Sequence, residues 1–310
     1  MSDVELRELR YFVAVAEELN FSRAAERLGI AQSPLSRAIT QLESRIGVRL
    51  LERTTRYVEL TLAGATLLDQ ARHVLDGAAA AITRTRRAGQ PEQRLAVAMK
   101  PSGHGALIRE IIAEYDRPGL PSVEVTVTSW GGPCDLVRSG AADVALLRSP
   151  LPTRDLEVWE LWSEPRIAAL PVGHRLASRT RLRRADLAGE PLPQWPGADP
   201  ATNAYWTGQD PHSVSTAWGG KEITTAGPDV SDLAQLLEVV ALGQAIAFLP
   251  ASTAGQHAVP GIVYVPVTDL SPSLVAVAWP RDSRSPAIAA FVEAAARIAE
   301  RTPDSLTAIS

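Results

Sequence analysis

The segment 31–46, Ala-Gln-Ser-Pro-Leu-Ser-Arg-Ala-Ile-Thr-Gln-Leu-Glu-Ser-Arg-Ile, constrains the fold more than any other stretch of the chain. It reads as one helix with a defined start and stop. The Ser33 hydroxyl suits an N-cap, where it accepts from an early backbone N–H. Pro34 then takes the first helical position, where a missing N–H costs nothing. Gly47 follows the last turn and ends it. Leu35, Ile39, Leu42 and Ile46 recur at helical spacing and share one face. At about 100° per residue, Ser33, Arg37, Thr40 and Ser44 point the other way. That outer face carries hydroxyls and a guanidinium but no carboxylate, which suits phosphates and base edges. The same composition also describes an ordinary solvated helix, so the neighbouring segments must decide.

Upstream, Leu6, Leu9, Phe12, Val13, Ala16 and Leu19 form a helical stripe. A short second helix over about 22–28 contributes Ala24, Ala25 and Leu28 and ends at Gly29. Its alanines allow close backbone approach. Gly29-Ile30-Ala31-Gln32 is a tight link, so the order is helix, turn, helix, the plan in which the second helix of the pair enters a major groove. Downstream, 49–61 is too polar at its centre for a core helix and reads as two short strands around Thr54-Thr55, a wing. Between Arg37 and Arg56 lie Arg37, Arg45, Arg49, Arg53 and Arg56 against Glu43 and Glu52, a local charge of +3 in a chain whose net charge is −4. A basic patch on an acidic protein is the footprint of a phosphate-contacting surface.

The 310 residues suffice for two or three domains. No run of eighteen apolar residues occurs, which excludes a membrane-spanning helix. The start, Met-Ser-Asp-Val-Glu, lacks the basic and apolar regions of a secretion signal. The single cysteine, Cys134, excludes an intramolecular disulfide and a cysteine zinc cluster. These features predict a cytoplasmic protein. Cys134 falls near a helix start, where a thiolate is favoured, but it has no resolving partner in the chain and is assigned a structural role.

Taken in order, 9–18 (Leu-Arg-Tyr-Phe-Val-Ala-Val-Ala-Glu-Glu), 21–28 (Phe-Ser-Arg-Ala-Ala-Glu-Arg-Leu), 32–37 (Gln-Ser-Pro-Leu-Ser-Arg) and 51–53 (Leu-Glu-Arg) resemble the winged helix-turn-helix of LysR-type transcriptional regulators. The match is close over the first ninety residues and holds in outline beyond them. Leu62 departs from it, since the family usually has proline there, which predicts a less sharply defined start for the next helix. The resemblance implies DNA contacts at Gln32, Ser33, Pro34, Ser36 and Arg37 and, in the wing, at Arg53 and Arg56; Thr40 joins them on the same outer face. The chemistry agrees: Gln32 suits adenine, and Arg37 suits guanine or phosphate. Pro34 reads as structural more than as a base contact. Arg23 and Arg27 read equally as solvated surface or as phosphate contacts.

From 62 to 88 there is no proline. Leu68, Leu75 and Ile82 are seven apart, with Ala71, Ala78 and Thr85 in the intervening positions of one seam. The alternative is an amphipathic helix packing on its own domain. Gly77 weakens this helix, and Arg84, Arg86 and Arg87 complement its C-terminal dipole. In the resembled family this helix dimerises two heads. The resemblance therefore implies a homodimer reading a roughly palindromic duplex, a possible dimer of dimers, and contact with RNA polymerase.

After Pro91 the texture becomes strand, helix, strand, helix, strand, which predicts an α/β sheet with right-handed crossovers. It resembles the family's effector-binding domain, a two-lobed fold like that of periplasmic solute-binding proteins. The predicted organisation is a winged helix-turn-helix over 1–60, a linker helix over 61–90 and an α/β effector-binding domain over 91–310. One lobe spans 92–161 and 267–310, the other 162–266. In such sheets ligands bind beyond the carboxyl ends of strands. Three ends converge on the expected cleft: Lys100-Pro101-Ser102-Gly103, the loop reaching Gly132, and Arg148. The family often has a hydroxyl residue where Gly132 falls, so one usual ligand contact is missing. Trp195 and Trp206 suit aromatic walls. Each has a plain alternative: Ser102 as a helix cap, Arg148 in a hinge salt bridge, the tryptophans in the core.

The predicted function is thus a sequence-specific DNA-binding regulator controlled by a small effector, anionic or aromatic, with no cofactor and no metal. A small-molecule binder or transport component would need a secretion signal and no winged head. An α/β enzyme would need a nucleotide loop, metal cluster or nucleophile elbow, and none is found. His73, His104, His174, His212 and His257 are dispersed without ligand spacing.

Overall fold

The structure is a computed structural model that describes residues 4–53, 57–101, 105–128, 132–151, 155–210 and 225–301. The chain divides into two compact units, one comprising Met1–Gly89 with Arg138–Gly140, the other Gln90–Val137 and Ala141–Ser310.

The first unit contains α1 (Leu6–Glu18), α2 (Phe21–Leu28), α3 (Gln32–Ile46), β1 (Leu51–Arg53), β2 (Val58–Leu60) and α4 (Leu62–Ala88). Asn20 caps α2 by accepting from the backbone N–H groups of Ser22 and Arg23, at 2.9 and 3.1 Å. Gly29 ends α2 at φ +66°, a conformation that residues with a Cβ rarely adopt. The start of α3 differs from the sequence reading. Ala31 is the N-cap and Ser33 already lies inside the first turn, making no cap bond. Pro34 falls at the third helical position, still among the N–H groups that have no intrahelical partner, so it is tolerated without being the first residue. Leu35, Ile39 and Leu42 are fully buried with Phe12, Val15 and Ala24, but Ile46 is 37% exposed, one turn past the core.

The wing is a short antiparallel hairpin, Leu51 opposite Leu60 and Arg53 opposite Val58. Its turn lies outside the described residues. The α4 start is sharp despite Leu62, which is exposed: Thr61 Oγ1 accepts from Gly64 N–H at 2.9 Å and donates to the Arg49 carbonyl at 2.8 Å. Proline is dispensable at this position because the preceding threonine already closes the helix end. Gly64 is fixed by contact, since a Cβ there would lie 2.0 Å from the Leu50 carbonyl oxygen.

The second unit runs β3 (Arg94–Met99), α5 (Gly105–Tyr115), β4 (Ser122–Val127), α6 (Gly132–Arg138), β5 (Val144–Arg148), β6 (Leu156–Glu164), β7 (Arg166–Pro171), a 3-10 turn (Arg184–Leu187), β8 (Pro191–Gln194), α7 (Pro200–Trp206), β9 (Thr225–Asp229), α8 (Leu233–Ala241), β10 (Ala247–Pro250), α9 (Ser252–Gln256), β11 (Ile262–Pro266), β12 (Ser273–Pro280) and α10 (Pro286–Arg301). Its larger sheet has the order β4-β3-β5-β12-β6; β3 runs parallel to β4 and β5, and β12 runs antiparallel to β5 and β6. Leu95, Val97, Leu146, Ile111 and Phe291 fill one face of it beneath α5 and α10.

The smaller sheet, β10-β7-β11, is antiparallel, with β8 and β9 paired beside it. Strand β7 is buried on both faces: Ile167 and Ala169 join the core under α8, while Ala168 and Leu170 join the opposite one, as the two-residue strand period requires. The chain passes between the sheets twice, from β6 to β7 through Pro165 and from β11 to β12 through 267–272.

Two glycines on one helix should respond oppositely. Gly64→Ala is expected to destabilise the head by about 2 kcal/mol through overpacking. Gly77→Ala, where an added Cβ meets nothing within 4 Å, should stabilise it by about 0.5–1 kcal/mol. Circular dichroism follows the helices of both units, whereas fluorescence reports the second unit alone because all seven tryptophans follow residue 129, so a change in the circular dichroism transition without one in fluorescence belongs to the head.

Candidate nucleic-acid interface and ligand cleft

The exposed side of α3 presents Gln32, Ser33, Pro34, Arg37 and Thr40, with Ser36 half-buried beside them. Ser22 Oγ donates to Gln32 Oε1 at 3.1 Å, which aims the amide from α2, and Thr40 Oγ1 donates to the Ser36 carbonyl at 3.0 Å. Among the described residues no carboxylate pairs with Arg37. The other arginines of the patch differ. Arg53 donates to Glu43 Oε2 at 2.9 Å and lies over the Phe21 ring, 4.9 Å from its centroid. Glu43 Oε1 also accepts from the Leu50 and Leu51 backbone N–H groups, at 2.9 and 3.1 Å, so this carboxylate bolts the wing to α3. Arg45 pairs with the buried Glu8 at 2.8 Å. Arg56 lies outside the described residues. Arg23 and Arg27 pair with Glu18 and Glu17, which makes them part of the scaffold between α1 and α2.

The predicted seam of α4 divides into two parts. Leu68 packs against the head core and Ala71 is 1% exposed within the same unit. Leu75 and Ala78 are half-buried, while Val74 and Ile82 stand about half exposed, at 48% and 55%.

In the second unit, Lys100, Pro101, Arg148, Trp195 and Trp206 line one cavity together with Leu146, Leu236 and Leu249. Its free volume is about 60 Å³. A second, neighbouring cavity of about 550 Å³ shares Lys100 and Trp195 with it and is also lined by Asp199, Asp229, Ser231 and Gln235. Lys100 follows the carboxyl end of β3, where α/β sheets hold ligands. Burial draws its ammonium below the usual lysine range, partly opposed by the nearby Cys134 and Asp199. Asp199 is held below the usual carboxylate range by the Thr202 hydroxyl, which donates to it at 2.6 Å.

Arg148 reaches the cavity wall but spends its charge behind it. Its guanidinium donates to Glu164 Oε1 at 2.5 Å and to Ser273 Oγ at 2.9 Å. Glu164, 2% exposed, also accepts from the Ser252 backbone N–H at 2.5 Å and hydroxyl at 2.9 Å. Ser102 and Gly103 lie outside the described residues. Gly132 does not line either cavity; a Cβ on it would lie 2.1 Å from Thr128 Oγ1, so the threonine side chain occupies the space a larger residue would need.

Residues 6–65 match the family model for bacterial regulatory helix-turn-helix proteins of the lysR family, and residues 88–299 match the LysR substrate binding domain. The Hca operon transcriptional activator HcaR of Escherichia coli strain K12 is 31% identical over 299 residues, 93% of this chain and 96% of that protein. The chain belongs to the LysR family. It is a DNA-binding transcriptional regulator whose C-terminal domain answers to a small-molecule effector. Full-length BenM aligns with a TM-score of 0.53 at 26% identity, covering 96% of this chain and 97% of that one. Full-length CbnR complexed with its target DNA aligns at 0.50 and 27%, covering 96% and 100%. No described helix of this LysR-family chain is long and apolar enough to cross a membrane.

Several residues that organise these sites escape the sequence reading. Glu43 looks like a solvated helix glutamate, yet it anchors the wing. Arg166 is fully buried: Nε donates to the Ser271 carbonyl at 2.7 Å, the terminal nitrogens reach Ser271 Oγ, the Tyr205 carbonyl and Asp210, and the guanidinium stacks on the Tyr205 ring, 4.0 Å from its centroid. The available signal is Glu164-Pro165-Arg166, opposite charges flanking a proline between two apolar strands. Glu164→Ala is expected to cost about 3 kcal/mol in the second unit, because it leaves the Arg148 charge buried and unmatched. Tryptophan fluorescence during urea unfolding reads this directly.

Proposed function

We propose that this LysR-family regulator reads its operator through the Gln32–Arg37 end of α3, with Arg37 as the principal base or phosphate contact and Thr40 alongside it. The single observation that carries the proposal is charge availability. Arg37 stands exposed on a carboxylate-free surface, while Arg45 and Arg53 are already neutralised within the head. Arg53 then serves mainly to hold the wing in position, and Arg56 extends the wing's positive charge. The working organisation is a DNA-binding head over 1–60, a pairing helix over 61–90 and an effector domain over 91–310, in a cytoplasmic protein.

We further infer that two copies pair through α4, along the side bearing Val74, Ala78 and Ile82. Leu68 is half-buried against the head core and Ala71 is buried within the same unit, so both already pack within one copy. A pair presents two recognition helices and reads a roughly palindromic duplex, and two such pairs make a tetramer. The effector occupies the cavity lined by Lys100, Trp195 and Trp206. It acts by binding two arrangements of the protein with different affinity, which is the thermodynamic requirement for any control of operator geometry or of polymerase contact.

Arg37→Ala should weaken specific operator binding by about 1–3 kcal/mol and relax base preference at one position per half-site. Fluorescence anisotropy on DNA upstream of the gene measures both; unchanged affinity and preference would remove Arg37 from the role. Ile82→Asp should convert dimers to monomers in sedimentation velocity while leaving the helical signal of the head intact. A persistent dimer would place the pairing surface elsewhere.

A further inference from the structure

Positive charge in the second unit is unevenly placed. Between Glu164 and Asp186 the chain has six arginines and no carboxylate, although its net charge is −4. Three of the six serve the fold: Arg166 and Arg184 are buried, and Arg175 donates to Glu190 at 3.0 Å. Arg179, Arg181 and Arg183 are exposed, and none of the three guanidinium groups pairs with a described carboxylate. Leu182, between the last two, is buried. Its N–H donates to the Pro266 carbonyl at 2.8 Å, and its carbonyl accepts from the Thr268 N–H at 2.9 Å. The segment is therefore held extended against the end of β11. Arg181 and Arg183 project outward on one side of it, about 6–7 Å apart along the backbone.

The larger sheet carries the opposite kind of surface. Strand β6 is last in its order, so one edge of β6 has no strand beside it among the described residues. Trp159 on this strand is 53% exposed, with the exposed Glu157 and Glu160 near it in sequence. Glu157 reaches Arg281 only at 3.9 Å, and Glu160 pairs with no described cation. Glu157 and Trp159 are also two residues apart on one strand, so they repeat the spacing of the two arginines. An open edge that shows an indole to water is a liability for an isolated sheet, and arginine and tryptophan are concentrated in protein interfaces.

We propose that the Arg179–Arg183 segment of one copy docks on the β6 edge of a second copy, with Arg181 and Arg183 meeting Glu157 and Trp159. The guanidinium fork suits a carboxylate, and its plane stacks on an indole. In a two-fold arrangement each copy offers both surfaces, so the contact forms twice and closes. A nucleic-acid backbone is the competing partner for three exposed arginines. The acidic, aromatic edge on the same chain favours a second copy. The contact rests on the tetramer proposed above, in which it joins one α4 pair to another. Salt weakens it first, so at high salt Ile82→Asp reads the α4 pairing alone.

Sedimentation equilibrium of the full-length protein tests this, with tryptophan-fluorescence unfolding as the check on folding. Wild type should form larger assemblies at low salt than at high salt. Arg181→Glu with Arg183→Glu should weaken that association at least about tenfold, and so should Glu157→Arg with Glu160→Arg, because each sets like charges together. Arg181→Gln with Arg183→Gln, a milder change, should act in the same direction. Mixing the two charge-reversed proteins should restore association, since both contacts of a mixed pair are then complementary. All four reversals in one chain should restore it as well. Association that is insensitive to salt, or unchanged in both reversed variants, would overturn the proposal. Loss without rescue on mixing would do the same. Arginine variants that assemble normally but bind random-sequence DNA with a shallower salt dependence would assign the segment to phosphates and overturn it too.

Discussion

Glu164 and Arg166 flank Pro165 at the point where the chain leaves one sheet of the second unit for the other, and both carry charge into the interior. An isolated ionised group there would cost several kcal/mol, so each has a full set of partners. Glu164 takes Arg148 from β5, Ser252 from the start of α9 and, through Arg148, Ser273 from β12. Arg166 takes Ser271 and the end of α7. Both crossing strands and helices of the smaller sheet are thus tied to one pair of residues by bonds that have directions. Apolar packing alone would hold the sheets together without fixing how they cross. The cost of leaving any of these groups unmatched is what makes the crossing geometry discrete, and the cavity beside it inherits its shape.

The head uses the same device at its surface, with a different result. Glu8 answers Arg45, Glu43 answers Arg53, and Glu17 answers Arg27 and Arg72. Each exposed pair contributes little, of the order of 0.2–1 kcal/mol. Their collective effect is positional: α1, α2, α3, the wing and α4 are cross-linked by oriented contacts, so the exposed end of α3 is presented by a rigid body. Pairing also sorts the arginines. A local excess of positive charge in the sequence becomes, in the fold, a few cations left exposed on the surface and several others committed to the scaffold.

That sorting shows where the sequence is readable. Periodicity in α1 to α4 and apolar runs in β3, β5, β10, β11 and β12 locate most elements, because local propensity and burial point the same way. The ends are less readable: Ser33 looks like the cap of α3, yet the chain turns at Gly29 and the helix begins at Gln32. Strands β6 to β9 are less readable: β6 has the irregular burial pattern of a strand carrying Trp159 and Trp162, β8 opens on a proline, β9 contains glycine and proline, and β7 is short. Lys100, Pro101 and Arg148 follow strand ends and Trp195 and Trp206 suit aromatic walls, and these five residues line one cavity. What topology could not say is that Arg148 faces Glu164, since pairing across sixteen residues is a property of the folded crossing. Thr253, Leu236 and Asp229 belong to the cavity for the same reason and carry no signal of their own.

The position of Arg148 also bears on how a bound molecule can influence the fold. One part of this side chain forms cavity wall, while its guanidinium belongs to the network that fixes the crossing. A ligand against Leu146 and Arg148 touches the larger sheet; against Leu236, Leu249 and Trp195 it touches the smaller one and its helices. Only a ligand that meets both walls changes their relative free energy, because contacts to a single wall are present equally in any arrangement of the two. The cavity lined by Leu146, Arg148, Leu236 and Leu249 carries residues of both walls, so an occupant there can make that double contact.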